Sequence, residues 1–319
     1  MDGSSLFGAA SRGSGSAKDE CVCMGTDAPA SREWRPSWLS VFRREPRQAF
    51  RRMPGCITLM YHDVVEAGSK LSSGFPGACA ARYKLTPSLF QTHLNALAEA
   101  MPDPPGTANE LLKDPGQANI LLTFDDGGRS AAGEIADLLD QRGWRGHFLV
   151  PTDFIGTPGF VSAGQIRSLH RRGHLIGSHS CSHPERMARC SWEDLVSEWS
   201  RSCAILSDIL GEPVTVASVP GGCYSRQVAE AATQAGICIL FTSEPTTRLQ
   251  RVNRCLVVGR YTIYAGTTGA SAASLISRWP WWRLRQTLTW NLKKAAKAVG
   301  GQGYLAVRQH LLSAVYRAE

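Results

Sequence analysis

The chain has 319 residues and a net charge of +8, with 43% hydrophobic and 19% charged residues and a mean hydropathy of −0.17. These proportions are typical of a globular protein and exclude a disordered one, because enough apolar side chains are present to form a core. The apolar runs are as long as single buried strands and well short of the roughly 18–20 residues that a membrane-spanning helix needs, so an integral membrane protein is not expected.

The positive charge lies in the two ends of the chain. Residues 1–56 contain 9 basic and 6 acidic residues, residues 57–270 contain 18 and 20, and residues 271–319 contain 8 and 1, which gives net charges of +3, −2 and +7. The basic C-terminal region favours contact with an anionic surface, unless its cations are simply solvated. Nucleic acid is not an expected partner, because the central region is slightly negative and no nucleic-acid-binding motif is found.

Residues 1–53 are predicted to be disordered or loosely attached, since they are rich in Gly, Ser, Ala and Arg and lack sustained periodicity. They contain no apolar core of the kind that a secretory signal has, which predicts a cytoplasmic protein with reduced cysteines. Cys21 and Cys23 form a C-x-C pair without a second pair at zinc-site spacing. A metal site is therefore not expected there.

Short apolar runs alternate with helical segments from residue 54 to residue 268. Seven strands are predicted, at 57–61, 119–124, 146–150, 174–178, 214–218, 237–242 and about 256–263. Helices are predicted between them, including Pro87–Ala100, Ser130–Arg142, Ala163–Arg172, Ser191–Leu210 and Ser225–Ala235. This alternation predicts an α/β fold with a parallel sheet. Seven strands buried on both faces favour a (β/α) barrel, with a doubly wound open sheet as the alternative.

Polar residues follow several predicted strands at their C-terminal ends: His62 and Asp63 after the first, Asp125 and Asp126 after the second, His179 after the fourth, and Pro220-Gly221-Gly222 after the fifth. In a parallel barrel these ends meet on one face, which is where active sites are built. The shared placement therefore predicts a functional site.

Two motifs in this set predict a metal centre. The two carboxylates of TFDDG (123–127) point in different directions, so that one can bind a metal while the other handles protons, although the sequence also suits a tight turn. His179 and His183 are four residues apart, which on a helical turn places both imidazoles on one face. Two histidines and one aspartate leave a coordination position open, as in catalytic zinc sites; cobalt, nickel and manganese bind similar sets.

TFDDG followed by H-x(3)-H resembles the polysaccharide deacetylases of carbohydrate esterase family 4, which share the NodB homology domain and a distorted seven-stranded (β/α) barrel. The resemblance covers roughly residues 55–265. It implies that Asp125 is the general base and that Asp126, His179 and His183 are the metal ligands. It also implies a substrate that carries acetyl groups on sugars.

The chain departs from the family pattern in the general acid, which many members supply from a late L-x-H motif that is missing here. MYHDV (60–64) resembles instead the start of the circularly permuted poly-N-acetylglucosamine deacetylases, whose acid histidine follows the first strand. This resemblance implies that His62 is the general acid. The alternative is a histidine that caps the end of a strand.

A second departure concerns the R-P-P-Y motif, whose arginine orients the base. The corresponding segment reads SVPGGCYS, with Val219 in place of arginine, which leaves the orienting role unassigned. The backbone of Gly221, Gly222 or Tyr224 could still bind an oxyanion. The family's D-x-x-D-W stretch has no convincing match; LFTSEPTT (240–247) occupies that region.

Residues 269–319 are predicted to form a basic helical extension. An apolar face, opposite a basic one, is predicted from the spacing of Trp281, Leu284, Leu288, Leu292, Ala296 and Val299. Such a helix lies on an anionic membrane, at its inner face, or else packs on the barrel with its basic side outward.

The main hypothesis is a metal-dependent hydrolase, most simply a Zn²⁺ enzyme, that removes N-acetyl groups from an amino-sugar glycan in exopolysaccharide synthesis or from its lipid-linked or oligosaccharide precursor. An O-acetyl sugar esterase on the same site is one alternative. The other is a non-catalytic glycan-binding protein on a degenerate barrel, for which a complete metal set with a spare base is not required.

Overall fold

The computed structural model describes residues 55–69, 72–115, 120–277 and 281–295. In this part of the chain, nine strands form one sheet in the order β7-β8-β6-β5-β4-β3-β2-β1-β9. All neighbours are parallel except β7 and β8. The strands are β1 (Ile57–Tyr61), β2 (Ile120–Phe124), β3 (His147–Val150), β4 (Leu175–Ser178), β5 (Val216–Ser218), β6 (Ile239–Phe241), β7 (Leu249–Val252), β8 (Cys255–Val258) and β9 (Tyr261–Thr262).

Helices connect the strands and cover the outside of the sheet. They are α1 (Ala78–Ala81), α2 (Pro87–Ala100), α3 (Ala108–Lys113), α4 (Glu134–Asp140), α5 (Ala163–Arg171), α6 (Trp192–Leu210), α7 (Arg226–Gln234), α8 (Gly269–Ile276) and α9 (281–295). Six of them begin after a Ser or Thr whose hydroxyl accepts a backbone N–H of the first turn: Thr86, Thr107, Ser162, Ser191, Ser225 and Thr268. Such caps satisfy N–H groups that the helix itself leaves unpaired. No described helix is long and apolar enough to cross a membrane.

The two faces of the sheet bury different apolar clusters. One cluster contains Leu121, Leu149, Phe241 and Leu256 together with Leu111 of α3. The other face packs against α2, α4 and α5 in a larger cluster built from alternate strand residues. Burial on both faces explains why β1 to β6 appear in the sequence as nearly continuous apolar runs.

The sheet curls until its two ends come close together. β8 lies next to one end of the strand order and β9 forms the other end, yet only Gly259 and Arg260 separate them in the chain. Three Cα steps span at most about 11 Å, so the two ends must approach each other. The strand order 6-5-4-3-2-1 also shows no reversal of the kind that a doubly wound sheet has, which argues against that alternative.

Helix α9 bridges the two ends of the curled sheet. The Gln286 amide accepts from the Thr262 N–H (3.1 Å) and donates to the Thr262 carbonyl (3.0 Å), which satisfies the free edge of β9. The Thr287 hydroxyl donates to the carbonyl of Pro245, in the loop after β6 (2.8 Å). We call this junction between β9 and the loop after β6 the seam.

The predicted α/β fold with a parallel sheet is confirmed, but the strand count of seven is wrong. The seventh predicted strand, 256–263, breaks at Gly259, where a Cβ would collide with the Glu244 carbonyl, and continues as β9 on the far side of the seam. β7 was missed because two of its four residues are exposed and polar. Of the helices, Pro87–Ala100 is found as predicted, whereas Ser130–Arg142 begins as a separate 3₁₀ turn at Arg129–Ala132. The predicted segment 1–53 lies outside the described residues.

Candidate metal and catalytic centre

Asp126, His179 and His183 converge at the C-terminal ends of β2 and β4. Asp126 Oδ1 lies 3.5 Å from His179 Nε2 and 3.4 Å from His183 Nε2, and the donor atoms of all three lie within 4.8 Å of one another. Ligands of a tetrahedral metal at about 2.0–2.1 Å are separated by roughly 3.3–3.5 Å. The three residues therefore fit one divalent cation such as Zn²⁺, with further coordination positions open.

The histidines converge for a reason other than the predicted helical turn. Residues 179–186 are irregular, and the segment folds back because Ser180 and His183 take left-handed conformations, with φ of 63° and 56°. Asp126 is also left-handed, with φ of 72°. Such backbone costs free energy for residues other than glycine and has to be held by its surroundings. Glu198 of α6 supplies part of this support, because its carboxylate accepts the N–H groups of residues 181 and 182 at 2.8 and 2.9 Å.

The orientation of His179 leaves its Nε2 free to bind a metal. Its Nδ1–H donates to the backbone carbonyl of Ser218 (3.1 Å) and lies 2.6 Å from the Ser218 hydroxyl. A hydrogen bond at one ring nitrogen fixes the tautomer and makes the other a lone-pair donor, as in established metal sites. Burial alone raises the pKa of Asp126, but the imidazoles of His179 and His183 outweigh it and hold that pKa well below its ordinary value. Asp126 is thus an anionic ligand at neutral pH.

The second carboxylate of the motif, Asp125, is paired with an arginine that the sequence analysis missed. The Arg260 guanidinium donates to both Asp125 oxygens at 2.7 Å, and the Ser218 hydroxyl donates to Oδ1 at 3.2 Å. Burial raises the pKa of Asp125, but electrostatic interaction with Arg260 and His179 more than compensates, so that the net pKa is lowered. Oδ2 accepts only one of these bonds and keeps a second lone pair, so that Asp125 can accept a proton there.

Arg260 supplies the arginine beside Asp125 that the sequence left unassigned. It is fully buried, and it also donates from Nε to the Thr242 carbonyl (3.0 Å) and from Nη1 to the Thr123 hydroxyl (3.1 Å). Val219, which stands where the family motif has arginine, is buried in an apolar cluster instead. The one available signal was an arginine inside a predicted apolar strand, because a buried guanidinium requires an anionic partner.

His62 lies beside this centre, directly after β1. Its ring stacks on Tyr83 at 4.5 Å between centroids, and Tyr83 stacks in turn on Tyr264 at 5.5 Å. Its buried Nδ1 makes no hydrogen bond to any residue of the described ranges. Electrostatic interaction with the His62 ring contributes to the lowered pKa values of both Asp125 and Asp126.

The three candidates for oxyanion binding are placed in different surroundings. Gly221 and Gly222 form a left-handed turn directly after β5, with φ of 63° and 65°. A Cβ on Gly221 would collide with the carbonyl of Glu185, two residues beyond His183, so this turn packs closely on the histidine loop. Tyr224 is half-buried against the apolar cluster between α6 and α7. Their roles stay predictions.

A buried group of polar residues next to the centre was also not predicted from the sequence. Asp63 is 2% exposed and accepts from the hydroxyls of Ser73 (2.6 Å) and Ser130 (2.7 Å), which joins three loops at the strand ends. Phe75, from the loop that carries Ser73, packs on the His183 ring at 4.5 Å. These contacts hold the histidine loop from the side opposite Glu198.

Part of the chain is similar to a known protein family. Residues 113–240 match the family model described as polysaccharide deacetylase. The chitin deacetylase of Arthroderma benhamiae is 28% identical over 116 residues, which cover 36% of this chain and 31% of that protein. The peptidoglycan-N-acetylglucosamine deacetylase PgdA of Listeria monocytogenes is 27% identical over 150 residues, covering 47% of this chain and 30% of that protein. The chain thus spans less than half the length of these curated relatives.

Solved structures show the same fold over a larger part of the chain. The Streptococcus pyogenes deacetylase PplD, in complex with acetate, has a TM-score of 0.57 at 18% identity and covers 68% of this chain and 95% of its own. IcaB from Ammonifex degensii has a TM-score of 0.54 at 21% identity, covering 69% of this chain and 96% of its own. These likenesses show that the chain shares its fold with deacetylases of known structure, and residues 113–240 resemble the polysaccharide deacetylase family.

Proposed function

We propose that the protein is a divalent-metal-dependent deacetylase that hydrolyses N-acetyl groups of an amino-sugar glycan. The observation that carries the proposal is the arrangement of two adjacent carboxylates with different partners. Asp126 faces two imidazoles at 3.4 and 3.5 Å, whereas Asp125 is held ionised by Arg260. A protein that only binds glycans has no need for a metal set beside a separate, buried base.

The residues of the centre divide the chemistry between them. Asp126, His179 and His183 would hold the cation, which when bound supplies Lewis-acid polarisation and a more acidic water. Asp125 accepts the proton of the attacking water, and Arg260 keeps this base ionised and oriented. The departing amine must then gain a proton. His62 is the proposed donor, because a histidine can recover its proton near neutral pH between turnovers.

The position of His62 supports assignment to the circularly permuted poly-N-acetylglucosamine branch of the family. In that assignment the acid comes from the first strand, and Arg260, from the junction of β8 and β9, replaces the missing motif arginine. The turn at Gly221 and Gly222 is the proposed source of backbone N–H groups for the oxyanion, since both residues lie at the same strand ends as the metal set. The proposed substrate is an exopolysaccharide or its precursor, and the proposed location is the cytoplasm.

Acetate release and metal content, measured on the same preparations, test the proposal. N-acetylglucosamine oligomers and an O-acetylated sugar are offered in parallel. We expect wild type to bind about one equivalent of divalent metal and to release acetate from the N-acetyl substrate. Asp126→Ala is expected to lose metal and activity, whereas Asp125→Asn and His62→Ala keep the metal and lose activity.

His170→Ala is the matched control for His62→Ala, because His170 is a partly exposed histidine that pairs with Glu212 away from the centre. It is expected to behave as wild type. Preferred release from the O-acetylated sugar would replace the proposal by the esterase alternative. Bound metal without acetate release from any acetylated sugar would favour the glycan-binding alternative, and absence of metal binding would refute the proposed mechanism.

A further inference from the structure

Helix α9 turns its apolar side away from the sheet. Trp281, Leu284, Leu288 and Leu292 are 71%, 44%, 55% and 71% exposed. They recur three and four residues apart and therefore form one line along the helix, which we call the outer stripe. At about 1.5 Å per residue the stripe is roughly 16 Å long. The sequence allowed the apolar side of this helix to face either the barrel or the outside, and in the structure it faces outward.

The polar side of α9 is fixed to the rim of the sheet. Gln286 and Thr287 bond to the two sides of the seam, and the Trp290 ring reaches the turn after β5, with its Cη2 3.7 Å from the place of a Cβ on Gly222. That turn follows Ser218, which contacts both His179 and Asp125. The helix that carries the outer stripe is thus part of the border of the candidate active site.

The helix that carries the outer stripe is basic and has no acidic residue. Residues 281–295 contain four basic and no acidic side chains. Arg285 is exposed on one flank of the stripe, and its guanidinium lies 5.1 Å from the ring centroid of Trp282. An outward apolar line with aromatic residues at one end, on a helix whose charged residues are all basic, is typical of helices that lie in the interface of an anionic membrane.

A second copy of the chain is a poorer occupant for the stripe. From the exposed fractions, the four side chains offer roughly 500 Å², less than the ~800 Å² per partner of a stable protein interface. Two such helices placed face to face would also bring like charges together. A lipid surface requires neither a large area nor a complementary protein, because insertion of one apolar face and attraction to anionic headgroups act together.

We propose that the outer stripe of α9 docks the protein on an anionic lipid surface, with the rim of the active site next to the docked helix. The inference rests on the proposed function where it concerns substrate. A deacetylase docked in this way acts on glycan carried by, or lying against, the lipid surface, for which lipid-linked amino sugars have suitable chemistry. Docking on lipid does not bring soluble oligomers of the same sugar closer to the centre.

Vesicle flotation of the full chain tests the docking independently of catalysis. Neutral phosphatidylcholine vesicles are compared with vesicles that also contain phosphatidylglycerol, for wild type and for the double variant Leu288→Ser/Leu292→Ser. Trp192→Ser is the matched control, because Trp192 is an exposed apolar residue at the start of α6, outside the stripe. We expect wild type and control to float with the anionic vesicles, more weakly at high salt, and the double variant to lose on the order of tenfold in affinity.

Acetate release from soluble oligomers, measured without vesicles, is expected to be equal in all three proteins. Vesicle binding without acetate release would refute the proposed function and leave the docking intact. Absence of wild-type binding to anionic vesicles would overturn the docking, including the case in which residues 296–319 cover the stripe. A wild-type dimer that the double variant abolishes would also overturn it, because a second copy would then occupy the surface.

Discussion

The ion pair between Arg260 and Asp125 provides the sharpest test of how the centre is held together. The Arg260 side chain is fully buried and that of Asp125 is 4% exposed, and two N–H···O contacts of 2.7 Å join them. Removing one partner of such a pair leaves an uncompensated charge in the interior, which typically costs about 3–5 kcal/mol. Arg260→Met and Asp125→Asn are therefore each expected to lower the free energy of unfolding by about 3 kcal/mol or more.

The double variant separates the pair from its surroundings. When both charges are removed, no unpaired charge remains, so Arg260→Met/Asp125→Asn is expected to cost less than the sum of the single variants, with a coupling of about 2 kcal/mol. Urea unfolding followed by circular dichroism gives each free energy, provided that the slopes of the transitions agree. All measurements use metal-free protein, so that loss of a bound ion does not contribute.

A second ion pair of equal length serves as the control. Arg172 Nη2 lies 2.7 Å from Asp137 Oδ1, but the Asp137 side chain is 62% exposed. Water already solvates this carboxylate, and the coupling between Arg172→Met and Asp137→Asn is expected to stay below about 1 kcal/mol. If the coupling of Arg260 with Asp125 proved no larger than that of the exposed pair, burial would not be what makes the arginine necessary, and the reasoning would be refuted.

Three further predictions concern the fold around the centre. Burial lowers the pKa values of His147 and His174 to about 4. Because the same histidines in the unfolded chain bind protons near pH 6.5, the free energy of unfolding should be highest above that pH and fall by up to about 3 kcal/mol per histidine as the pH drops to 4. Gly128→Ala would drive a Cβ into the Asp63 carboxylate, and thermal unfolding should show a loss of about 1–3 kcal/mol. Gln286→Ala leaves the edge of β9 unpaired and should accelerate amide exchange there more than elsewhere.

Each of these predictions has a variant or a result that contradicts it. His147→Gln should flatten the pH dependence of unfolding, whereas His170→Gln should not; equal slopes would show that the buried histidine is not its source. Gly133→Ala places a Cβ in open space and is the control for Gly128→Ala. Uniform acceleration of amide exchange in Gln286→Ala would indicate global destabilisation rather than opening of the seam.

The sequence was sufficient for those parts of the fold that local patterns determine. β1 to β6 are buried on both faces and stand out as apolar runs, and α2 and α6 begin at Thr86 and Ser191, whose hydroxyls cap them. The convergence of Asp126, His179 and His183 was predictable because they follow two strands whose ends must meet in a parallel sheet. The route by which the histidines converge was not, since left-handed backbone at Ser180 and His183 leaves no periodic signal.

The features that the sequence did not reveal depend on contacts between distant residues. Arg260 and Asp125 are 135 positions apart, and no local pattern relates them. The amphipathic pattern of α9 predicted one apolar face but not its direction. The direction follows from the seam, where the N–H and carbonyl of Thr262 need hydrogen-bond partners that the polar side of the helix supplies through Gln286.

The interruption of the seventh predicted strand and the ion pair of Arg260 with Asp125 have the same origin. The Arg260 N–H donates to the Glu244 carbonyl and its Nε to the Thr242 carbonyl, so both its backbone and its side chain bond to the segment after β6 instead of extending β8. This leaves the guanidinium pointing at Asp125 inside the curled sheet. A continuous strand through 256–263 would pair those backbone groups along a ladder and remove the arginine from the base. The contact of Arg260 with Asp125 therefore requires the break between β8 and β9. Helix α9 supplies the hydrogen bonds that the edge of β9 then lacks.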